Sequence, residues 1–247
     1  GFVDKYYHPK QIIIAVAGGV KSSDVFRSIE EKFGFLNGPD FLSPCEAKFK
    51  GGEKRLKKDL EQAHFTFALE APTITDPKVY NARVFSAILG GGMSSRLWQE
   101  IREKRGLCYS INSGVESYPD TGQIVIYSGT GSEKISELSY VVVEEIKKLT
   151  SNVQDAEVSR AKTRMKAGML MALEDPFNRC ARMAGLLTTW GRILDLEEII
   201  EKVENVNVQK VKDFGSTLLN SKKTSLALYG PVDKAPDLSK ILSVLNH

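Results

Sequence analysis

Apolar and polar positions alternate with different periods along the chain, and the periods predict its elements. Gln11 to Ala17 is a continuous apolar run closed by Gly18-Gly19 and predicts a buried strand. Ser22 or Ser23 can cap a helix in which Val25, Ile29 and Phe33 recur on one face, with Gly34 at its end. Residues 11–36 thus read as strand, glycine turn and helix. In Gln62 to Glu70, Ala63, Phe65, Phe67 and Leu69 alternate with more polar neighbours, the mark of a half-buried strand. Asp76-Pro77 opens a helix carrying Tyr80, Val84, Ala87 and Ile88, ended by Gly90-Gly91-Gly92. Ser94 or Ser95 caps another with Leu97, Trp98 and Ile101, stopped by Gly106. Cys108 to Glu116 and Gln123 to Thr130 are strands joined in a hairpin through Pro119-Asp120.

The remainder is mostly helical. Ile135, Leu138, Val142, Ile146 and Leu149 mark one amphipathic helix. Ser151 and Gln154 fit a capping box for the next, with Ala161, Met165, Met169 and Ala172 turned inward. Asp175-Pro176 opens a third, reaching Trp190; two shorter helices lie near Leu196–Val203 and Val208–Leu219. Ser225 to Tyr229 is a strand, and Leu238 to Leu245 a final helix. This ending matches the beginning. Ile14 to Val20 and Leu226 to Val232 are both an apolar strand, Gly, one residue and Val, before a helix, at an offset of 212 residues. If the unit closes each copy of a repeat, about 165 residues of the first copy are expected upstream of Gly1.

Composition narrows the class. The 247 residues are 42% hydrophobic and 26% charged, which excludes a disordered chain. A net charge of +3, evenly spread, argues against a nucleic-acid partner. The sequence has no apolar run of the roughly 20 residues a bilayer needs. Cys45, Cys108 and Cys180 are odd in number and widely spaced, as in reduced intracellular thiols. His8, His64 and His247 form neither His-Glu-x-x-His nor His-x-x-Glu-His, so a metal site built from this chain alone is not expected.

Several motifs invite a chemical reading and also carry a structural one. Gly18-Gly19-Val20-Lys21-Ser22 lacks the Gly before Lys that a phosphate loop needs, and reads as a strand-to-helix turn. Gly90-Gly91-Gly92 lies between helices, where a joint is expected and a dinucleotide fingerprint is not. Cys108 has no imidazole near it in sequence and reads as a structural thiol; His64 reads as a satisfied strand histidine. Arg102 and Tyr109, seven residues apart across the Gly106 corner, leave two readings open. They are a surface Arg and a packed strand Tyr, or donors that grip a carbonyl oxygen or oxyanion.

The stretch Leu89-Gly90-Gly91-Gly92-Met93-Ser94-Ser95-Arg96-Leu97-Trp98-Gln99-Glu100-Ile101-Arg102-Glu103-Lys104-Arg105-Gly106-Leu107-Cys108-Tyr109-Ser110 resembles the second homologous half of the pitrilysin/insulinase zinc peptidases. Within them it is most similar to the mitochondrial processing peptidases and their bacterial relatives. Tyr6-Tyr7-His8-Pro9 with Ile12 to Val20, Gln62-Ala63-His64, and Gly191-Arg192 with Glu197 extend the resemblance over the chain. It implies an α+β fold with an antiparallel or mixed sheet packed with helices. This would be the second of two homologous domains, preceded by the last strand-helix unit of the first. The implied boundaries are 1–36 for the end of the zinc-bearing domain, 37–58 for linker and edge strands, and 59–247 for the substrate-binding domain.

The resemblance further implies that Arg102 and Tyr109 bind the substrate backbone. The zinc ligands and the catalytic Glu would belong to the upstream half, leaving no catalytic or metal residue in this chain. Cys108 departs from the family, where Ala or Gly is commoner. The expected function is the C-terminal half of a zinc metalloendopeptidase that cleaves peptides or presequence-like segments in a closed chamber. The alternative is a non-catalytic homologue acting as partner or structural subunit. Expected partners are a peptide substrate and the upstream half or a homologous subunit, with homodimerisation through the orphan strand as a further route. No nucleic acid or membrane partner is expected. The expected compartment is a bacterial cytoplasm, or else the mitochondrial matrix.

Overall fold

The computed structural model of the chain describes residue 2 and residues 7–37, 45–220 and 223–246. The strands are β1 (Gly52–Lys57), β2 (Ala63–Glu70), β3 (Cys108–Ser117), β4 (Gly122–Thr130) and β5 (Thr224–Gly230). The helices are α1 (Ser22–Phe33), α2 (Val79–Gly90), α3 (Trp98–Lys104), α4 (Ile135–Ser151), α5 (Asp155–Ala172), α6 (Pro176–Trp190), α7 (Leu196–Glu204), α8 (Val208–Asn220) and α9 (Leu238–Asn246). The chain packs as two units: 1–46 with 166–196, and 47–165 with 197–247. The class is α+β, as expected. Among the described residues no helix is long and apolar enough to cross a membrane.

The larger unit holds one mixed sheet in the order β1-β5-β2-β4-β3. β1 runs parallel to β5, and the other neighbours are antiparallel. Strand alternation puts Phe65, Phe67 and Leu69 of β2 beside Ile124 and Ile126 of β4, Leu226 and Leu228 of β5, and Ile111 of β3. All eight are buried. α2 covers this face over β3 and β4, α4 covers β2, and α8 and α9 pack on α4. Phe85 of α2 and Phe214 of α8 meet edge to face at 5.5 Å. The opposite face carries His64, Thr66 and Tyr127, all part-exposed.

Gly90 closes α2 where the helix touches the sheet. A Cβ there would lie 2.6 Å from the Ser113 backbone nitrogen, so only Gly lets α2 approach β3 this closely. Beyond it, Arg96 anchors the next turn. Its guanidinium makes two 2.7 Å hydrogen bonds to the Glu157 carboxylate and another to the Asn152 carbonyl. Glu157 also accepts from the Gln154 N–H at 2.9 Å, the carboxylate half of a capping box. Burial works to raise the Glu157 carboxyl. Hydrogen bonds from Arg96 and Gln154, with the charges of Arg96 and Arg160, outweigh it and hold the carboxyl below its usual range.

Several expectations need correction. Residues 12–17 form no regular element and pair with no strand among the described residues, and Ile13, Ile14 and Val16 are exposed. An apolar run becomes a buried strand only when another strand takes its backbone groups. α1 begins at Ser22 itself, after Lys21, with no side-chain cap. Asp76 accepts from the Lys78 N–H in a turn, which delays α2 to Val79. The capping box joins Gln154 to Glu157, because Ser151 is still the last residue of α4. In α5 only Val158 and Ala161 are buried; Met165 and Met169 are part-exposed and Ala172 is exposed. Of the expected linker, residues 38–44 lie outside the described residues, as does Tyr6; β1 is the polar edge strand expected near Lys48 to Lys58.

Two outcomes follow. Hydrogen exchange should be fast through residues 12–35, where no backbone is sheet-paired and α1 buries no side chain, and slow through β2 and β4. Equal protection of both regions would contradict the unpaired state of 12–17. Arg96→Ala should cost about 1.5–3 kcal/mol in urea unfolding at neutral pH, because it strands a charged hydrogen-bonding group. The Glu157 carboxyl is depressed on folding, so its contribution is complete above the unfolded value of about 4.3 and is lost as pH falls through the folded value. The gap between wild type and Arg96→Ala should therefore narrow below about pH 4. A gap that stays constant with pH would remove the charged pair from the account.

Candidate functional site

The corner from α3 into β3 assembles the two expected site residues. α3 is a π-helix rather than an α-helix, a feature no apolar period indicated. It ends with the N–H groups of Gly106 and Leu107 bonding back to the carbonyls of Arg102 and Ile101. This is a Schellman-like cap widened by one residue. Gly106 has φ +58°, the left-handed conformation that turns the chain towards β3 at least cost to Gly. Lys134 donates to the Gly106 carbonyl at 2.7 Å, and the buried Thr130 hydroxyl donates to that of Leu107.

β3 then begins with a bulge. Cys108 pairs with Thr130 and Ser110 with Gly129, so Tyr109 is the extra residue between two successive partners. A bulge re-aims the side chain it carries. Tyr109 is 80% exposed, and its ring centre lies 5.5 Å from the Arg102 guanidinium carbon. The structure thus brings together the two residues that sequence spacing left ambiguous. The Arg102 guanidinium also lies 4.3 Å above the Trp98 ring, within cation–π range. Its Nη1 donates to Glu103 at 2.8 Å, and the Trp98 indole donates to the same carboxylate oxygen at 3.2 Å. No motif in the sequence marks Trp98 and Glu103 as partners. The four-residue step from Trp98 to Arg102 was a usable signal; the five-residue step from Trp98 to Glu103 was not, because it does not mark one face of an α-helix.

Neighbouring charges are committed elsewhere. Arg105 pairs with Glu100 at 3.0 Å and Glu137 at 3.2 Å, and Lys104 pairs with Glu100 at 2.8 Å. The Lys104 hydrogen bond, with that of Arg105 and both charges, holds the Glu100 carboxyl below its usual range against burial. Among the described residues Arg102 donates only to Glu103, and the Tyr109 hydroxyl has no hydrogen-bond partner. The corner can therefore present a guanidinium edge and a phenol to an incoming acceptor.

The other candidates are structural. His64 Nδ1 lies 2.8 Å from the Tyr127 hydroxyl, and the ring stacks between Tyr127 and Tyr229. Cys108 is half-buried. Burial pushes its thiol up, and the Ser128 hydrogen bond and the Arg102 and Lys134 charges only partly oppose this. Among the described residues no group of three or more His, Cys, Asp or Glu could hold a metal ion. Within those residues the available donors do not fit zinc.

Comparisons with known proteins agree on a family. A family model described as the peptidase M16 inactive domain matches residues 1–165. A Rickettsia felis protein named as an uncharacterised zinc protease is 34% identical over 233 residues, covering 94% of this chain and 56% of that protein. A Bacillus subtilis protein of the same description is 30% identical over 237 residues, covering 95% of this chain and 58% of that protein. A chain in the structure of complex III2 from Candida albicans superposes with a TM-score of 0.80 at 22% identity, over 92% of this chain and 57% of that one. A protease from Helicobacter pylori gives a TM-score of 0.76 at 20% identity, over 87% and 53% of the two chains. The chain spans a little over half the length of the proteins it matches.

Cys108 should react more slowly with iodoacetamide than the exposed Cys45, because a raised thiol holds less thiolate at a given pH. Mass-spectrometric peptide mapping at timed quenches checks this. Faster labelling of Cys108 would reopen a nucleophilic role.

Proposed function

The chain belongs to the peptidase M16 family, the pitrilysin and insulinase peptidases of the sequence resemblance, and we propose that it is the C-terminal, substrate-binding half of a zinc metalloendopeptidase. The observation that carries this reading is the juxtaposition of Arg102 and the exposed Tyr109 at one corner. In this reading residues 1–36 end a preceding zinc-bearing domain and residues 59–247 form the substrate-binding domain. The metal is held outside this chain, in an upstream half or a homologous subunit. The substrate is an extended peptide, and the bacterial zinc-protease relatives favour a bacterial cytoplasm.

Arg102 and Tyr109 suit a peptide carbonyl for elementary reasons. The phenol donates one hydrogen bond and the guanidinium several in a fixed fork. Both interactions strengthen as negative charge gathers on the oxygen, so they favour a tetrahedral state over the planar amide. The likeness to a chain of complex III2 supports a second reading, a non-catalytic partner subunit with the same fold.

Tyr109→Phe deletes a hydroxyl that has no hydrogen-bond partner among the described residues, and Arg102→Ala deletes the fork. Each should remove roughly 2.7–4 kcal/mol of transition-state stabilisation, about 10²–10³ in kcat, in cleavage of a fluorogenic peptide by the full-length protein. Zinc content should stay constant. Arg102→Lys should recover little, because an ammonium lacks the planar fork. Arg105→Ala should matter less, since Arg105 is engaged with Glu100 and Glu137. Wild-type rates in both Tyr109→Phe and Arg102→Ala would favour the non-catalytic reading.

A further inference from the structure

We infer that Trp98 and Glu103 are positioning residues for Arg102, and that the π winding of α3 is what lets one short helix hold all three side chains together. The inference rests on the substrate-binding reading of Arg102 proposed above. It starts from winding. In an α-helix of 3.6 residues per turn, a residue four positions on lies about 40° round the axis and one five positions on about 140° round. α-Winding would let Trp98 meet Arg102 but would carry Glu103 away from the indole. The π-helix closes its ladder on the fifth residue, so each turn is wider and the fifth side chain returns beneath the first.

The contacts follow from that. The indole face of Trp98 lies against the Arg102 guanidinium, while its Nε1 edge donates to Glu103 Oε1. The same oxygen accepts from Arg102 Nη1. Three side chains thus close a ring of contacts in which each touches the other two. The guanidinium is stacked on one ring, tied at one nitrogen, and flanked by Tyr109. To swing away it must lose both a cation–π contact and a charge-assisted hydrogen bond. Glu103 occupies Nη1 only, so Nε and Nη2 are left for a ligand oxygen. An adjacent-residue ion pair on a surface ordinarily contributes little. Here its role is orientation, and it gains that role from the indole that holds the carboxylate in place.

The first measurement is nitrogen relaxation of the Arg102 Nε–Hε group in this chain, assigned by its loss in Arg102→Lys. It should be restrained in the unaltered chain and become mobile in Trp98→Leu and in Glu103→Gln. Trp98→Phe keeps a ring face and should retain much of the restraint. The second is peptide cleavage by the full-length protein. Trp98→Leu and Glu103→Gln should lose on the order of 10–10²-fold in kcat/KM, mostly in kcat, with Trp98→Phe recovering a large part. Glu103 is exposed, so Glu103→Gln keeps the test open even if Trp98→Leu folds poorly. An Arg102 that is equally restrained in Glu103→Gln and the unaltered chain overturns the positioning role. So does an Arg102 that loosens in these variants without loss of cleavage, where Arg102→Ala does lose it. Unchanged cleavage in Arg102→Ala instead overturns the substrate reading on which the inference rests.

Discussion

A chain that leaves a helix and enters a strand within three residues must still satisfy its last helical carbonyls. At the corner from Arg105 to Leu107 this is done by a widened cap over a left-handed glycine, whose own carbonyl accepts from the Lys134 ammonium. The other features of the site depend on that arrangement. The bulge at Tyr109 is set by where β3 can first meet β4, and the direction of Arg102 by the turn that precedes the cap. Neither side chain is buried enough to be held by packing alone. Backbone hydrogen bonds set where the two side chains leave the corner, and contacts with Trp98 and Glu103 then hold the Arg102 guanidinium.

The corner in turn needs a rigid base. Two supports flank it: α2 seated on β3 through Gly90, and the Arg96–Glu157 pair that ties the start of the next turn to α5. Below them the sheet buries one face under helices and leaves the other part-exposed. Peptidases and subunits of larger assemblies can share such a scaffold, as the neighbours of this fold do. What separates them is the chemistry of exposed residues.

The sequence made the sheet and the longer helices legible because their apolar periods are strong. Phe65, Phe67 and Leu69 alternate cleanly, and Ile135 to Leu149 keep one helical face. The Asp-Pro pair was a true helix start at Asp175 but misleading at Asp76, where a turn delays the helix to Val79, and Ser residues near a boundary misled in the same way. The apolar run at residues 11–17 misleads because it records a tendency to be buried, whereas burial also needs a partner. The pairing of Arg102 with Tyr109 became more than a spacing only through the family resemblance. The winding that orients Arg102 was not legible at all. A π-helix comes from tertiary and capping constraints and leaves no period over seven residues.

The one parallel pairing in the sheet has a kinetic consequence. β1 and β5 lie side by side, yet the paired residues Gly52 and Ser225 come from opposite ends of their unit in sequence. Closing that contact fixes a very long loop, and the entropy lost is regained only once the intervening strands have formed. The β3–β4 hairpin can condense from near neighbours, and β2 then joins it along β4. β5 must then arrive from the far end before β1 has anything to pair with. During synthesis the sheet edge at β2 stays open until β5 has emerged, which is the interval in which such an edge is most exposed to mispairing.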